Sequence, residues 1–303
     1  MSPQYLHRFL ILGLTAALLS NATRASAQTW TGAAGDGLWA NPVNWTGGVP
    51  NFSGAAVTLP TAGNYANPID LGPSTFGNQI DLRDMTFNNL PGDATLINTI
   101  PGGVLRIYGN FSGGGAGTGV MTLGSAQRTV TIHNDILFMN SGVLLNNDSN
   151  GAAQVYHGTI RTNVHGGAII LTGRSNALNP AITMNGQIRD GLSGQITRLE
   201  TGYTPDGANH RAVARVTNDA NDFSGWTWVK TNTLQFTSVG NVGSPSALGV
   251  GGTGSDAILW LGDTTYAGTL DYVGTAPLGH ATNRSIHLYG TSGGGTVLAN
   301  GAG

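Results

Sequence analysis

Short runs in which apolar and polar residues alternate recur along this chain. Examples are Ala56-Val57-Thr58-Leu59, Ile80-Asp81-Leu82, Val104-Leu105-Arg106-Ile107-Tyr108, Val130-Thr131-Ile132 and Ala168-Ile169-Ile170-Leu171-Thr172. Ala181-Ile182-Thr183-Met184, Ala212-Val213-Ala214-Arg215-Val216 and Ser285-Ile286-His287-Leu288-Tyr289 continue the series. Clusters of Gly, Asn, Asp and Pro separate them. Period-two alternation bounded by turn residues predicts β-strands and fits no helix. The runs return at intervals of roughly twenty to thirty residues, which favours stacked coils over a sandwich, because each coil can bury its apolar face against its neighbours.

The stretch from Val216 to Gly249 reads as one complete coil. A polar turn of Asn218, Asp219, Asn221 and Asp222 leads into Trp226-Thr227-Trp228-Val229, then Thr233-Leu234-Gln235-Phe236, then a Gly/Pro turn closing at Ala247-Leu248-Gly249. In the turn, short Asn and Asp side chains are expected to bond to their own backbone. Near the start lies an aromatic module, Thr29-Trp30-Thr31-Gly32 through Gly37-Leu38-Trp39 to Asn44-Trp45-Thr46-Gly47-Gly48-Val49-Pro50-Asn51, with three of the six Trp residues. Packing that closes the first coil is the expected role of these rings, ahead of a sugar-binding platform.

These features resemble the autotransporter-associated β-strand repeat of secreted bacterial proteins. The corresponding residues are Asn221-Asp222-Phe223-Ser224-Gly225, Asn232-Thr233-Leu234-Gln235 and Ala247-Leu248-Gly249, the Trp module, and the block Gly268-Thr269-Leu270-Asp271-Tyr272-Val273-Gly274 with Thr282-Asn283-Arg284-Ser285-Ile286 and Gly293-Gly294-Gly295-Thr296-Val297. Asn232 stands where the repeat has Gly, and Gly225-Trp226-Thr227-Trp228 where it has a "GGTT" element. The resemblance implies an all-β fold, a right-handed parallel β-helix (solenoid) with an N-terminal Trp-rich capping module. It also implies a secreted or cell-surface passenger with a structural or adhesin-like role.

Composition agrees with a solenoid. Gly supplies 48 of 303 residues and charged residues only 9%, against about a quarter in ordinary domains, so Asn, Thr, Ser and backbone must solvate the surface. The formal net charge of −2 offers no electrostatic footprint for nucleic acid. With no cysteine, strand ladders and packing alone must hold an exported chain together.

Residues 1–27 read as a signal peptide: His7-Arg8, an apolar Phe9 to Leu19, and an Ala25-Ser26-Ala27 site with cleavage after Ala27. The apolar run is shorter than the roughly 20 residues a membrane span needs, so no transmembrane segment is expected. Residues 28–54 form the Trp-rich module and 55–303 the β-helix repeats. The chain stops in a turn at Gly301-Ala302-Gly303, which reads as an incomplete solenoid. The resemblance implies a continuation that is a translocator β-barrel anchoring it to the outer membrane, a sorting tail or an enzyme domain.

Candidate chemistry is sparse. Gly251-Gly252-Thr253-Gly254-Ser255-Asp256-Ala257-Ile258-Leu259 matches a single copy of the calcium-binding nonapeptide of β-rolls. Calcium needs 6–8 oxygen ligands from tandem copies, so Gly251, Gly252, Gly254 and Asp256 are read as a turn. Asp81, Arg83 and Asp84 form the nearest charged cluster, with alternation placing Asp81 and Arg83 on one face and Asp84 on the other, and a solvent-facing ion pair is expected there. His157 and His165 are eight apart, which fits no metal spacing, and His133, His210, His280 and His287 read as solitary. No G-x-S-x-G elbow, phosphate loop or Cys nucleophile is present. A non-enzyme without cofactors is expected, with surface glycans or extracellular matrix as partners through exposed Thr and Asn rows and aromatics such as Tyr108, Tyr156 and Tyr272. The alternative is a carbohydrate-binding or polysaccharide-degrading, pectin-lyase-like β-helix.

Overall fold

Every second side chain points inward in the strands Ala56–Pro60, Val104–Ile107, Thr129–Ile132, Asp135–Phe138, Val213–Val216 and Thr233–Phe236, and the side chains between them are partly exposed. The structure, a computed structural model, describes residues 27–72, 78–109, 121–124, 128–140, 143–147, 152–173, 180–202, 212–276 and 279–301. The expected leader therefore lies outside the described residues, apart from Ala27.

Strands stack into three sheets that form the walls of a parallel β-solenoid of about 8 turns. A long face of eleven strands runs from Trp45–Thr46 and Ala27–Trp30 through Ala56–Pro60 to Leu259–Leu261 and Ile286–Leu288. A second face has nine, from Ile69–Asp70 to Gly294–Ala299, and a short face five, from Gln79–Leu82 to Ile188–Arg189. The chain visits long, second and short face in turn until Arg189. After that it alternates between the first two faces, joined by loops.

Register holds although the coils differ in length. On the long face Val57 lies beside Met85, Met85 beside Met121, Met121 beside Leu145, and later Thr201 beside Val229 and Val229 beside Leu261. Successive partners are 24 residues apart at the shortest of these steps and 36 at the longest. Length differences fall between strands, so they leave the inward row intact. A slip of one residue would turn every apolar side chain outward. Burial of each such Leu, Ile, Val or Met contributes about 1.5–3 kcal/mol, and stacked rows make that gain repeat from coil to coil.

At the N-terminal end Trp45–Thr46 pairs antiparallel with Ala27–Trp30 and so occupies the sheet's edge. Trp30, Trp39 and Trp45 are buried and pack edge to face, with centroids 5.0 Å and 4.5 Å apart. Each indole N–H donates to a carbonyl, of Asn64, Pro50 and Trp39 respectively. These rings close the core rather than display a surface. At the opposite end the inward positions Ile286, Leu288 and Val297 are exposed, Leu288 to 66%.

Regular helix is confined to single 3-10 turns such as Pro42–Asn44 and Gly254–Ala257 among the described residues. No described helix is long and apolar enough to cross a membrane. One corner depends on a missing side chain: a Cβ on Gly268 would meet the Val229 carbonyl oxygen at 1.9 Å.

Candidate functional site

The strands carry charge in pairs that bridge neighbouring coils. Asp81 is not paired with Arg83. It faces Arg106 of the following coil in direct register on the short face, and Arg106 grips it through Nε and Nη2, each at 2.6 Å. That bidentate contact raises the Arg106 pKa. Arg83 instead turns to Asp84 at 2.6 Å. The expected grouping fails because Arg83 lies between the strands Gln79–Leu82 and Asp84–Asn88, where the corner interrupts alternation.

Other carboxylates follow the same rule. Arg189 pairs with Asp222 and Lys230 with Glu200 in adjacent coils, while Arg198 reaches past one coil to Asp256. Asp271 accepts from Gln235, whose own Oε1 takes two hydrogen bonds from Arg215. Asp190 accepts from the Ser224 hydroxyl and the Thr197 amide, and Asp219 from the hydroxyls of Thr237 and Ser238. Among the described residues no group of three or more His, Asp or Glu is placed to hold a metal.

The Asn-rich turn departs from expectation in the same direction. Asn218 does bond locally, accepting from the Ala220 amide, and also donates to the Asn185 carbonyl of the preceding coil. Asn221 does not: it is fully buried, its Oδ1 accepts from the Ile188 amide at 2.7 Å, and its Nδ2 donates to the Ala247 carbonyl at 2.9 Å. One amide thereby links the coils before and after its own. Asp219 and Asp222 likewise bond to neighbouring coils.

Histidines expected to be solitary are not. The rings of His133 and His157 stack 4.7 Å apart and nearly parallel, since Ile132 and Tyr156 are register partners in adjacent coils. His280 packs on Tyr272 and His287 on Trp260, while His165 is exposed and His210 lies outside the described residues. Of the tyrosines expected on the surface, Tyr156 is in the core, and its hydroxyl donates to the buried Gln154 at 2.6 Å. It falls on the inward row of Leu96, Ile132, Tyr156 and Met184.

The aromatic surface lies elsewhere, on the outer side of the long face. Glu200, Trp228, Trp260 and His287 are successive register partners. Trp226 and Tyr289 flank this row, and the rings of Trp226, Trp228, Trp260, His287 and Tyr289 are partly or well exposed. Trp228 contacts Trp226, Trp260 and Tyr289 at centroid separations of 6.3, 6.5 and 4.9 Å. Two cations lie over its flank: the Arg198 guanidinium 3.6 Å from the Trp226 ring centre, and the Lys230 ammonium 4.4 Å from that of Trp228. Both are neutralised, by Asp256 and Glu200. In earlier coils the outward positions of this face are Thr58, Thr86 and Thr122. Alternation alone carried the signal, for Trp226-Thr227-Trp228-Val229 and Leu259-Trp260-Leu261 put every Trp on the side away from Val229, Leu259 and Leu261.

Past Lys230 the chain turns the corner toward the second face, and there a cavity of about 390 Å³ opens, lined by Thr231, Asn232, Thr233, Tyr266, Ala267 and Thr269. A second cavity, near Leu71, Asn98 and Asn134, holds only about 10 Å³, enough for one water at most.

The glycine-rich nonapeptide forms a loop ending in the 3-10 turn Gly254–Ala257. Asp256 turns to Arg198, and the Arg284 guanidinium packs against this loop, donating to the carbonyls of Ala257 and Leu248. Burial pushes the Arg284 pKa down to about 10. Gly251 lies against it, where a Cβ would come within 3.2 Å of Nε. This turn therefore presents two guanidinium groups beside its single carboxylate.

No family model matches the chain, and comparisons with characterised proteins and with solved structures return no match either.

Proposed function

We propose that this protein is an exported, non-catalytic β-solenoid of the autotransporter-associated repeat type, acting as a rigid structural or adhesin-like element at the cell surface or in extracellular material. The observation that carries this reading is the coil-to-coil pairing of its charges. Each described carboxylate is engaged by a cation, a hydroxyl, an amide or a backbone N–H. Side chains that hold one coil to the next stiffen the stack, and they are poorly suited to proton transfer, which needs a group poised near its substrate. At roughly 4.8 Å per coil, about 8 turns span about 40 Å.

Turnover is the direct test. The purified chain should release neither reducing ends nor unsaturated products from pectic, algal and bacterial polysaccharides. Saturable release that disappears on substitution of one carboxylate would replace this reading with the lyase or hydrolase alternative. Export is tested by expression with the native leader in a Gram-negative host, where the mature N-terminus should be Gln28.

The aromatic row favours a second, compatible reading, contact with glycans. The indole N–H groups of Trp226, Trp228 and Trp260 are spent on Glu200 and on the Gly262 and Ser255 carbonyls, so what the partly exposed rings offer is apolar surface, suited to the C–H faces of sugar rings.

A further inference from the structure

Two indoles on the outer side of the long face carry cations, and the next one along does not. Leu199 lies beside Thr227, which places Arg198 beside Trp226, and the guanidinium sits 3.6 Å from that ring's centre. One coil supplies Lys230 over its own Trp228 at 4.4 Å. Trp260, in the following coil, has no cation over it among the described residues.

Register explains the difference. Val229 lies beside Leu261, so the position that holds Lys230 in one coil holds Gly262 in the next. Gly262 has a φ of +83°, and a Cβ there would meet the Gly294 carbonyl oxygen at 2.3 Å. That position can carry no side chain, so the coil of Trp260 cannot furnish from it the cation that the coil of Trp228 does. Leu261 in turn lies beside Leu288, which sets Tyr289 next to Gly262. Tyr289 is 43% exposed. Its ring and that of Trp260 stand at 84° with centroids 6.1 Å apart, two walls of a corner.

The chemistry left at this corner is narrow. The Trp260 N–H is spent on the Ser255 carbonyl, and those of Trp226 and Trp228 on Glu200 and the Gly262 carbonyl. Glu200 and Asp256, the carboxylates of this surface, are already committed to Lys230 and Arg198. Ring faces attract cations, but a primary ammonium has three N–H groups that need acceptors. A quaternary ammonium has none. We propose that the corner of Trp260 and Tyr289 binds a trimethylammonium group, of the kind that choline and its esters carry. The ring faces hold its charge and its methyl groups together, with no hydrogen bond required. This site goes beyond the glycan-contact reading and does not rest on it.

The test is calorimetric titration and saturation-transfer NMR of the full chain with choline, set against ethanolamine and against choline's uncharged carbon analogue, in which a tert-butyl group replaces trimethylammonium. Saturable choline binding is expected, tighter than either control and weakened about fivefold or more by Trp260→Leu and by Tyr289→Leu. Trp260→Phe, which keeps a ring face, should retain more affinity than Trp260→Leu. Should Trp260→Leu fold poorly, Tyr289→Leu decides. Flotation with phosphatidylcholine vesicles identifies the source: co-flotation lost in the same variants means a bilayer headgroup, and choline binding without it means a soluble choline ester. Absence of saturable binding, affinity unchanged in the variants, or equal affinity for the carbon analogue or for ethanolamine overturns the site. None of these outcomes touches the scaffold reading, which turnover tests.

Discussion

Lys230 and Glu200 are bonded to each other at 2.6 Å across adjacent coils, and they are the only lysine and the only glutamate in the chain. Glu200 is well covered, its side chain 9% exposed, and its second oxygen accepts from the Trp226 indole. Removing the cation alone leaves a nearly buried carboxylate with one neutral donor. Lys230→Met should therefore destabilise the fold by about 2–3 kcal/mol. Arg83→Ala, which breaks a pair whose arginine is 46% exposed, should cost less than about 0.5 kcal/mol. Urea unfolding of the two variants checks the contrast, and equal losses would mean that burial does not grade these pairs.

Asn221 offers a second measurement of how coils are joined. Truncation to Ala strips a partner from the Ile188 amide and another from the Ala247 carbonyl in one step, at a fully buried site. The expected loss is about 2–4 kcal/mol. Asn218→Ala removes a turn bond from the Ala220 amide and an inter-coil bond to the Asn185 carbonyl, but at a partly exposed position where water can replace both, and should cost about 1 kcal/mol, clearly less than Asn221→Ala.

Strands, coil order and the inward rows were legible in the chain because alternation and turn residues are local signals: the predicted runs at 56–59, 104–108 and 130–132 fall within one residue of Ala56–Pro60, Val104–Ile107 and Thr129–Ile132. Partners across coils were not legible. Asp81 with Arg106 and His133 with His157 depend on how many residues each coil takes to return, and that number varies. The same blindness hid Asn221's role, since a turn Asn bonding to itself and one bonding to its neighbours have the same local sequence. The outward tryptophans were readable in principle, as Trp260 stands between two leucines.

Gly268 and Gly92 separate two uses of glycine. A methyl group at Gly268 would collide with the Val229 carbonyl at 1.9 Å, whereas at Gly92 it meets nothing within 4 Å. Gly268→Ala should destabilise by about 3 kcal/mol or more, since backbone must move at a corner shared by two coils. Gly92→Ala should be neutral or stabilise by up to about 1 kcal/mol through the unfolded chain's lost freedom. Thermal unfolding of both variants decides it, and a tolerated Gly268→Ala would contradict the corner geometry.

His157 gives the stack a pH dependence whose sign follows from its surroundings. Desolvation first, and then the adjacent His133 ring, lower its pKa in the folded chain below the ordinary 6.5. An unfolded His157 binds its proton near pH 6.5, so between that value and the lower folded one the unfolded chain holds more protons and stability rises with pH. The contribution is complete above about pH 6.5 and is lost as pH falls through the folded value. Melting temperatures measured from pH 7.5 down to 5.5 should therefore fall faster for the natural protein than for His157→Gln, which keeps a planar polar group against His133 but cannot acquire charge. Parallel curves for the two proteins would show that the ring pair does not sense protonation.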